Sequence, residues 1–164
     1  MLNTVTGIGY DSHRFKAGRK LILGGVDIPC EVGLDGHSDA DALCHAVIDG
    51  ILGASGKKDI GQIFPDTDPK WKDADSLNLL KRTVALINKD NIKIIYIDAV
   101  VVTEKPKIGP HIETMIKKIS EASGINAKRV NVKAKTNEKM GFSGREEGLM
   151  AMACVTVERD FNDR

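Results

Sequence analysis

Between residues 94 and 102 the chain reads IIYIDAVVV, a nearly continuous apolar run rich in β-branched side chains. Such a run is typical of a buried strand, so the segments around it must supply its cover. After it, Gly109-Pro110 opens a helix with Ile112, Met115, Ile116 and Ile119 on one face. Before it, a helix starting at Ser76 carries Leu77, Leu80, Val84 and Ile87 at helical spacing. An earlier helix is expected from Ser38, which caps it, with Asp39 and Asp41 in the first turn and Leu43, Val47, Ile48, Ile51 and Leu52 as its buried side. Gly53 and Gly56 end it.

Residues 4–10 read as a strand followed by a loop, and Leu21-Ile22-Leu23 ends in Gly24-Gly25 as part of a hairpin. Val130, Val132, Ala134 and Thr136 alternate with polar residues as a half-exposed strand, and residues 149–157 form a last apolar strand. Residues 59–75 are polar and rich in turn formers, as a long loop is. The expected fold is α/β, a two-layer α+β sandwich: a mixed sheet of about four main strands with helices on one face. A length of 164 residues suits a single catalytic domain over 1–164, whose core needs no disulfides.

Lys and Arg number 24 against 23 acids, and a net charge of +1 gives no general attraction to nucleic acid or an anionic membrane. A small molecule is the default ligand. Cys30, Cys44 and Cys154 are odd in number and contain no C-x-x-C pair, which points to a reducing compartment. The N-terminal residues show no signal-peptide pattern and no apolar run reaches spanning length, so a cytoplasmic protein is expected, or one of a plastid-type organelle if a transit segment precedes this chain.

Asp11 and His13 are two apart at the end of the first strand, so a carboxylate and an imidazole share a face. Gly7 and Gly9 precede them on that face and are expected to leave room for a ligand. A D-x-H pair alone is a common strand end; His45 offers the third ligand, with Asp41 and Asp49 four residues to either side to orient it. Three N/O ligands with an open position are the catalytic arrangement for zinc. His37 and Ser38 flank the expected helix N-terminus, a place that favours phosphate. Lys135, Thr136, Glu138 and Arg145 gather around two glycines, offering cations for phosphate and a carboxylate for a second, harder cation. These ligands by themselves also permit a zinc phosphoesterase with bound water as nucleophile, or a non-catalytic nucleotide-binding protein.

Taken together, GIGYDSHRF (7–15), LGG (23–25), DGHSDADALCHAVIDGILGA (35–54), DIG (59–61), FPDTDP (64–69), KPKIGPH (105–111) and KTNEKMGFSGREEG (135–148) closely resemble the 2-C-methyl-D-erythritol 2,4-cyclodiphosphate synthase family. The resemblance implies a homotrimer with active sites between subunits, converting 4-diphosphocytidyl-2-C-methyl-D-erythritol 2-phosphate into the cyclic diphosphate and CMP in the non-mevalonate route to isoprenoid precursors. It implies Zn2+ on Asp11, His13 and His45, one per subunit, and Mg2+ or Mn2+ on Glu138 with the substrate diphosphate. His37 and Thr136 take catalytic places, His37 and Ser38 contact the substrate phosphates, and Asp11, Ser12 and His13 also count as substrate-binding. Asp59, Ile60 and Gly61, with Phe64, Pro65, Asp66, Thr67 and Asp68, line the methylerythritol side. Thr103, Pro106, Lys107, Ile108 and Gly109, then Ala134, Lys135, Thr136, Asn137 and Glu138, fall where the family holds cytidine and its phosphates, with Phe142 and Arg145 beside them. Lys135 and Asn137 stand where some relatives carry threonine, and Gly109 where some carry a bulkier apolar residue.

Overall fold

The computed structural model describes residues 2–72 and 74–160. Its centre is the pairing of β1 (Leu2–Ala17) with β7 (Gly148–Asp160), antiparallel from Leu2 opposite Asp160 to Arg14 opposite Gly148. On the far side of β7 lies β5 (Lys93–Val102), antiparallel to it, and β6 (Val130–Lys135) runs parallel to β5 at the edge. A short strand, β4 (Val32–Leu34), closes the other edge and gives the order β4-β1-β7-β5-β6. The sheet thus has four main strands plus a short fifth, mixed in direction as expected. β1 is twice as long as its apolar segment suggests: pairing with β7 and, at Phe15 opposite Leu34, with β4 holds the polar stretch 11–17 extended. Asp11 and His13 therefore stand inside the strand, not at its end.

Three helices, α1 (Ala42–Ala54), α3 (Ser76–Asn88) and α4 (Ile112–Ser123), supply the second layer, while α2 (Ile60–Ile63) is a single turn. Ile97, Ala99 and Val101 of β5, with Ala151, Ala153, Val155 and Val157 of β7, face the helices and are buried. Alternate residues face away, so the apolar run in β5 is covered on one side only: Tyr96 lies exposed, as do Ile8, Tyr10 and Met152. α1 is buried almost all round, because it lies directly on the centre of the sheet. Gly7 and Gly9 make that approach possible. A Cβ on Gly9 would sit 1.8 Å from the Ala46 carbonyl oxygen, and one on Gly7 would sit 2.3 Å from Ala54 N. The two glycines leave room for a helix, not for a ligand.

The hairpin of β2 (Leu21–Leu23) and β3 (Val26–Ile28) turns through Gly24 and Gly25, both at positive φ, as a two-residue turn of this hand requires. It is tied to α1 by Asp41, the actual N-cap of that helix. The fully buried carboxylate accepts hydrogen bonds from Cys44 N at 3.0 Å, Gly24 N at 2.9 Å and Gly25 N at 2.6 Å. Burial pushes the Asp41 carboxyl up, and the three amides oppose that shift. Asp41→Ala is expected to cost about 2–4 kcal/mol in denaturant unfolding, since it removes the cap and leaves two buried donors and one part-buried donor without their acceptor. A loss below about 0.5 kcal/mol, the size of an ordinary surface change, would refute the tie.

Candidate metal centre and substrate cleft

Two residues beyond Gly9, β1 delivers Asp11 and then His13 to the helix-covered face, and the close seat of α1 brings His45 down beside them. His45 Nδ1 lies 2.9 Å and His13 Nε2 2.8 Å from Asp11 Oδ2. One ligand atom from each residue fits within a 4.8 Å span. The His13 ring is fixed from behind: Nδ1–H donates to the Asp35 carbonyl at 2.6 Å, which leaves the Nε2 lone pair facing the site. That Nε2 is buried and has no hydrogen-bond partner among the described residues; its approach to Asp11 lacks the alignment a hydrogen bond needs. An orphaned imidazole nitrogen, a second imidazole and a carboxylate converging on one point fit a divalent metal, and a thiolate-free N/O set suits zinc with an open position.

Electrostatics agree with a ligand set. Burial pushes the Asp11 carboxyl up, but the two imidazoles outweigh it and hold it at about 2, so the group is an anion throughout the neutral range. Burial pulls His13 down, and its contact with Asp11 more than offsets this, so its pKa is raised. A metal bound by these residues would take the place of that proton.

The groups that orient His45 are not Asp41 and Asp49. Asp41 is committed to the hairpin and cap, and Asp49 accepts Ile60 N at 2.7 Å. Instead His45 Nε2 meets Ser76 Oγ at 2.9 Å and Ser38 Oγ at 3.2 Å. Ser76 donates its hydroxyl to Asp39 Oδ1 in a short hydrogen bond and its amide to Asp39 Oδ2 at 3.0 Å. A chain His45–Ser76–Asp39 thus fixes the imidazole with Nδ1 toward Asp11. Ser76→Ala is expected to weaken zinc affinity by about 10- to 100-fold, and Asp49→Asn by much less, in competition titrations against a chromogenic chelator. Equal losses in the two variants would remove Ser76 from this role.

Ser38 does not cap a helix either. Its hydroxyl accepts Ala40 N at 3.1 Å, Ala40 takes a positive φ, and the helix begins only at Ala42. The 36–38 loop is held by Arg19, which donates Nη1–H to the Gly36 carbonyl at 3.0 Å and Nη2–H to the Ser38 carbonyl at 2.7 Å. His37 is left exposed at the rim, without the helix N-terminus expected beside it.

The triad lines a cleft of about 460 Å³, together with Gly36, His37, Ser38, Ile60, Gly61, Phe64, Asp66, Trp71 and Leu79. Trp71 and Leu79 carry no chemical signal in the sequence. Trp71 packs edge-on to Phe64 at 5.0 Å, with Lys70 Nζ 4.8 Å and the Arg82 guanidinium 5.4 Å from its ring centre. In place of one long loop, the segment has the turn α2 and a 3-10 turn at Pro69–Trp71. Asp59 caps the first through Gln62 N, and Asp68 caps the second through Lys70 N. Pro65, Thr67 and Asp68 do not line the cleft. Ser12, by strand alternation, turns to the opposite face, where it lines a smaller hollow of about 230 Å³ with Arg14, Phe142 and Glu147.

The remaining expected residues lie elsewhere. Register places Asp11 opposite Ala151, Ala151 opposite Val101 and Val101 opposite Ala134. Three strand spacings separate Asp11 from Ala134, roughly 14 Å. Lys135, Thr136, Glu138 and Lys107 are exposed at that edge, Arg145 pairs with Glu147 at 2.7 Å, and Pro106 and Asn137 are half-buried. Gly109 is open, whereas the Ile108 side chain and Thr103 are buried. One chain therefore carries two separated groups: a metal cleft under α1 and an exposed polar edge after β5 and β6.

The YgbB family model matches residues 4–158. The 2-C-methyl-D-erythritol 2,4-cyclodiphosphate synthase of Caldicellulosiruptor bescii is 56% identical over 151 residues, 92% of this chain and 96% of its own. Among solved structures, the bifunctional IspDF of Campylobacter jejuni superposes with a TM-score of 0.93 at 39% identity over 98% of this chain, which spans 43% of that longer protein. IspF of Plasmodium falciparum, in a complex with CDP, superposes with a TM-score of 0.84 at 34% identity, covering 96% of this chain and 97% of its own. A match from the first strand to the last, through every segment that builds the cleft, shows that the chain belongs to the YgbB family of 2-C-methyl-D-erythritol 2,4-cyclodiphosphate synthases.

Proposed function

We propose that the chain, as one catalytic domain, is a cyclising, CMP-releasing phosphorus–oxygen lyase. An oxygen of the 2-phosphate of 4-diphosphocytidyl-2-C-methyl-D-erythritol 2-phosphate attacks the β-phosphorus of the same molecule. The bond from that phosphorus to the CMP oxygen breaks, and CMP leaves with the electron pair. The nucleophile is already an anion, so no serine–histidine pair and no water are needed. The observation that carries this reading is the convergence of Asp11, His13 and His45, with His13 Nε2 buried and without a hydrogen-bond partner, in the wall of the cleft.

Asp11, His13 and His45 would hold zinc, and Glu138 would hold Mg2+ or Mn2+ against the diphosphate; bound there, these cations supply positive charge for the phosphoryl oxygens. The protein's own part is positioning. His37 and Ser38, on the loop clamped by Arg19, face the phosphates; Ile60, Gly61, Phe64 and Asp66 enclose the methylerythritol carbons. The edge formed by 103–109 and 134–138 takes the cytidine, and the Thr136 hydroxyl, 2.5 Å from Glu138 Oε1, sits beside the diphosphate.

The roughly 14 Å between metal cleft and nucleotide edge supports a site completed by a second subunit, in a homotrimer. The uncovered sheet face supports it too: Ile8, 74% exposed, with Tyr10, Tyr96 and Met152 forms an apolar strip suited to burial against copies of itself. No helix among the described residues is long and apolar enough to cross a membrane, and the three free cysteines support a reducing, cytoplasmic setting. The decisive experiment measures CMP release from the diphosphocytidyl substrate in ¹⁸O-water, with and without chelator. Chelator-sensitive CMP release with unlabelled cyclic diphosphate is expected. Label in the erythritol product would replace the cyclase with a hydrolytic phosphoesterase.

A further inference from the structure

We infer that Glu104 is the positioning residue that holds the nucleotide edge together, a role resting on the nucleotide reading above. Glu104 follows β5 by two residues, within the 103–109 strip proposed to take the cytidine, and does not line the metal cleft. Its half-buried carboxylate oxygen Oε1 accepts two backbone amides at once, Asn137 N at 2.9 Å and Lys139 N at 3.1 Å. Those amides flank Glu138, on the turn after β6. One side chain therefore clamps the segment after β5 to the segment after β6.

The turn needs a clamp. Glu138 and Lys139 both take positive φ, at 50° and 62°, and neither is glycine. Consecutive residues in that region are strained and persist only where surrounding contacts over-determine them. Successive amides in such a turn point into a shared concavity that attracts an anion, and here the anion is the protein's own. The turn's other contacts near Glu138 are internal to it. Asn137 Nδ2–H donates to the Met140 carbonyl at 2.8 Å, and Met140 N donates to the Asn137 carbonyl at 2.9 Å, so those bonds close the turn on itself without fixing it to β5. The parallel ladder supplies one more rung beyond β5, Thr103 N to the Lys135 carbonyl at 2.9 Å, and then stops. Past Lys135, Glu104 makes the connection beside Glu138, the Ser143 hydroxyl donates to the Val102 carbonyl at 3.1 Å beyond the turn, and Lys105 pairs with Glu146 at 3.1 Å.

Glu138 is held, in consequence, with its carboxylate on the Thr136 hydroxyl at 2.5 Å. Loss of the Glu104 oxygen frees both residues and separates the two strips that meet the nucleotide. A glutamine at 104 keeps an oxygen that accepts two amides, so the clamp depends on the acceptor and not on the charge.

The test compares Glu104→Ala and Glu104→Gln with the unaltered enzyme by calorimetric titration of CDP, steady-state turnover, zinc content and ¹⁵N-amide spectra. Glu104→Ala is expected to bind CDP at least tenfold more weakly and to raise KM by a similar factor, with full zinc content. The Asn137 and Lys139 amide resonances should move upfield as they lose a carboxylate acceptor. Glu104→Gln should restore CDP binding to within threefold. Unchanged CDP affinity in Glu104→Ala overturns the inference, as does a glutamine variant as weak as the alanine one. If the unaltered enzyme neither binds CDP nor releases CMP, the nucleotide reading itself fails. The amide shifts then still decide whether Glu104 holds the turn.

Discussion

Alanine in place of His13 is expected to give a folded protein that keeps little or no zinc and turns over the diphosphocytidyl substrate at least about 10³-fold more slowly, the scale on which loss of a preorganised electrostatic group acts. The fold should survive because the β1–β7 ladder at this position is made by backbone groups, His13 against Leu149. The ring's one structural bond is Nδ1–H to the Asp35 carbonyl, whose loss costs about 1 kcal/mol. The metal does not survive. Two ligands remain, and Asp11, held at about 2 by both imidazoles, loses one of the partners that keep it ionised and oriented. Metal analysis by mass spectrometry beside a thermal melt separates the two effects. Full zinc occupancy in this variant would show that the three side chains converge for another reason. His45→Ala should behave alike, with a larger loss of stability, because His45 also anchors Ser76 and through it Asp39.

What the sequence made legible was periodic and local. The apolar run that became β5, the helix from Ser76 and the Gly24-Gly25 hairpin are each written within a dozen residues, so pattern and turn chemistry suffice. Asp11 and His13 were legible as a pair because strand alternation is local too. The misread features depend on distant chain. The polar half of β1 is extended because β7 and β4 pair with it. On an isolated helix Asp41 and Asp49 are the neighbours of His45, but in the fold the amides of Gly24, Gly25 and Ile60 take those carboxylates. Ser76 reads as the start of a helix and nothing more; its contact with His45, 31 residues away, exists only once α3 is laid beside α1. The resemblance named the edge residues without their place in the fold; their separation from the candidate metal ligands is a property of strand order, β1 to β6 through β7 and β5.

Gly9 joins these two levels, and Gly9→Ala is expected to be the most damaging single-methyl change in the protein. The new Cβ would stand 1.8 Å from the Ala46 carbonyl oxygen and 2.7 Å from Gly50 N, both backbone atoms of a helix that no rotamer change can move. Relief requires α1 to lift from the sheet. That loosens the packing of the helix's own Leu43, Val47, Ile48 and Ile51, all fully buried, so the loss should reach about 4 kcal/mol or more. Gly18→Ala is the control: its φ of +76° strains an alanine, but nothing lies within 4 Å of the added carbon, and a cost of about 1 kcal/mol is expected. Denaturant unfolding of the pair measures the difference. An unfolding midpoint for Gly9→Ala equal to that of Gly18→Ala would mean that α1 does not sit where the structure places it. The same lift moves His45 away from Asp11, which stands two residues past Gly9 on the same face. Whatever fraction of Gly9→Ala folds should therefore bind zinc more weakly than its stability alone explains. A variant destabilised through Asp41, which does not lie between α1 and β1, should lose stability without that excess loss of metal.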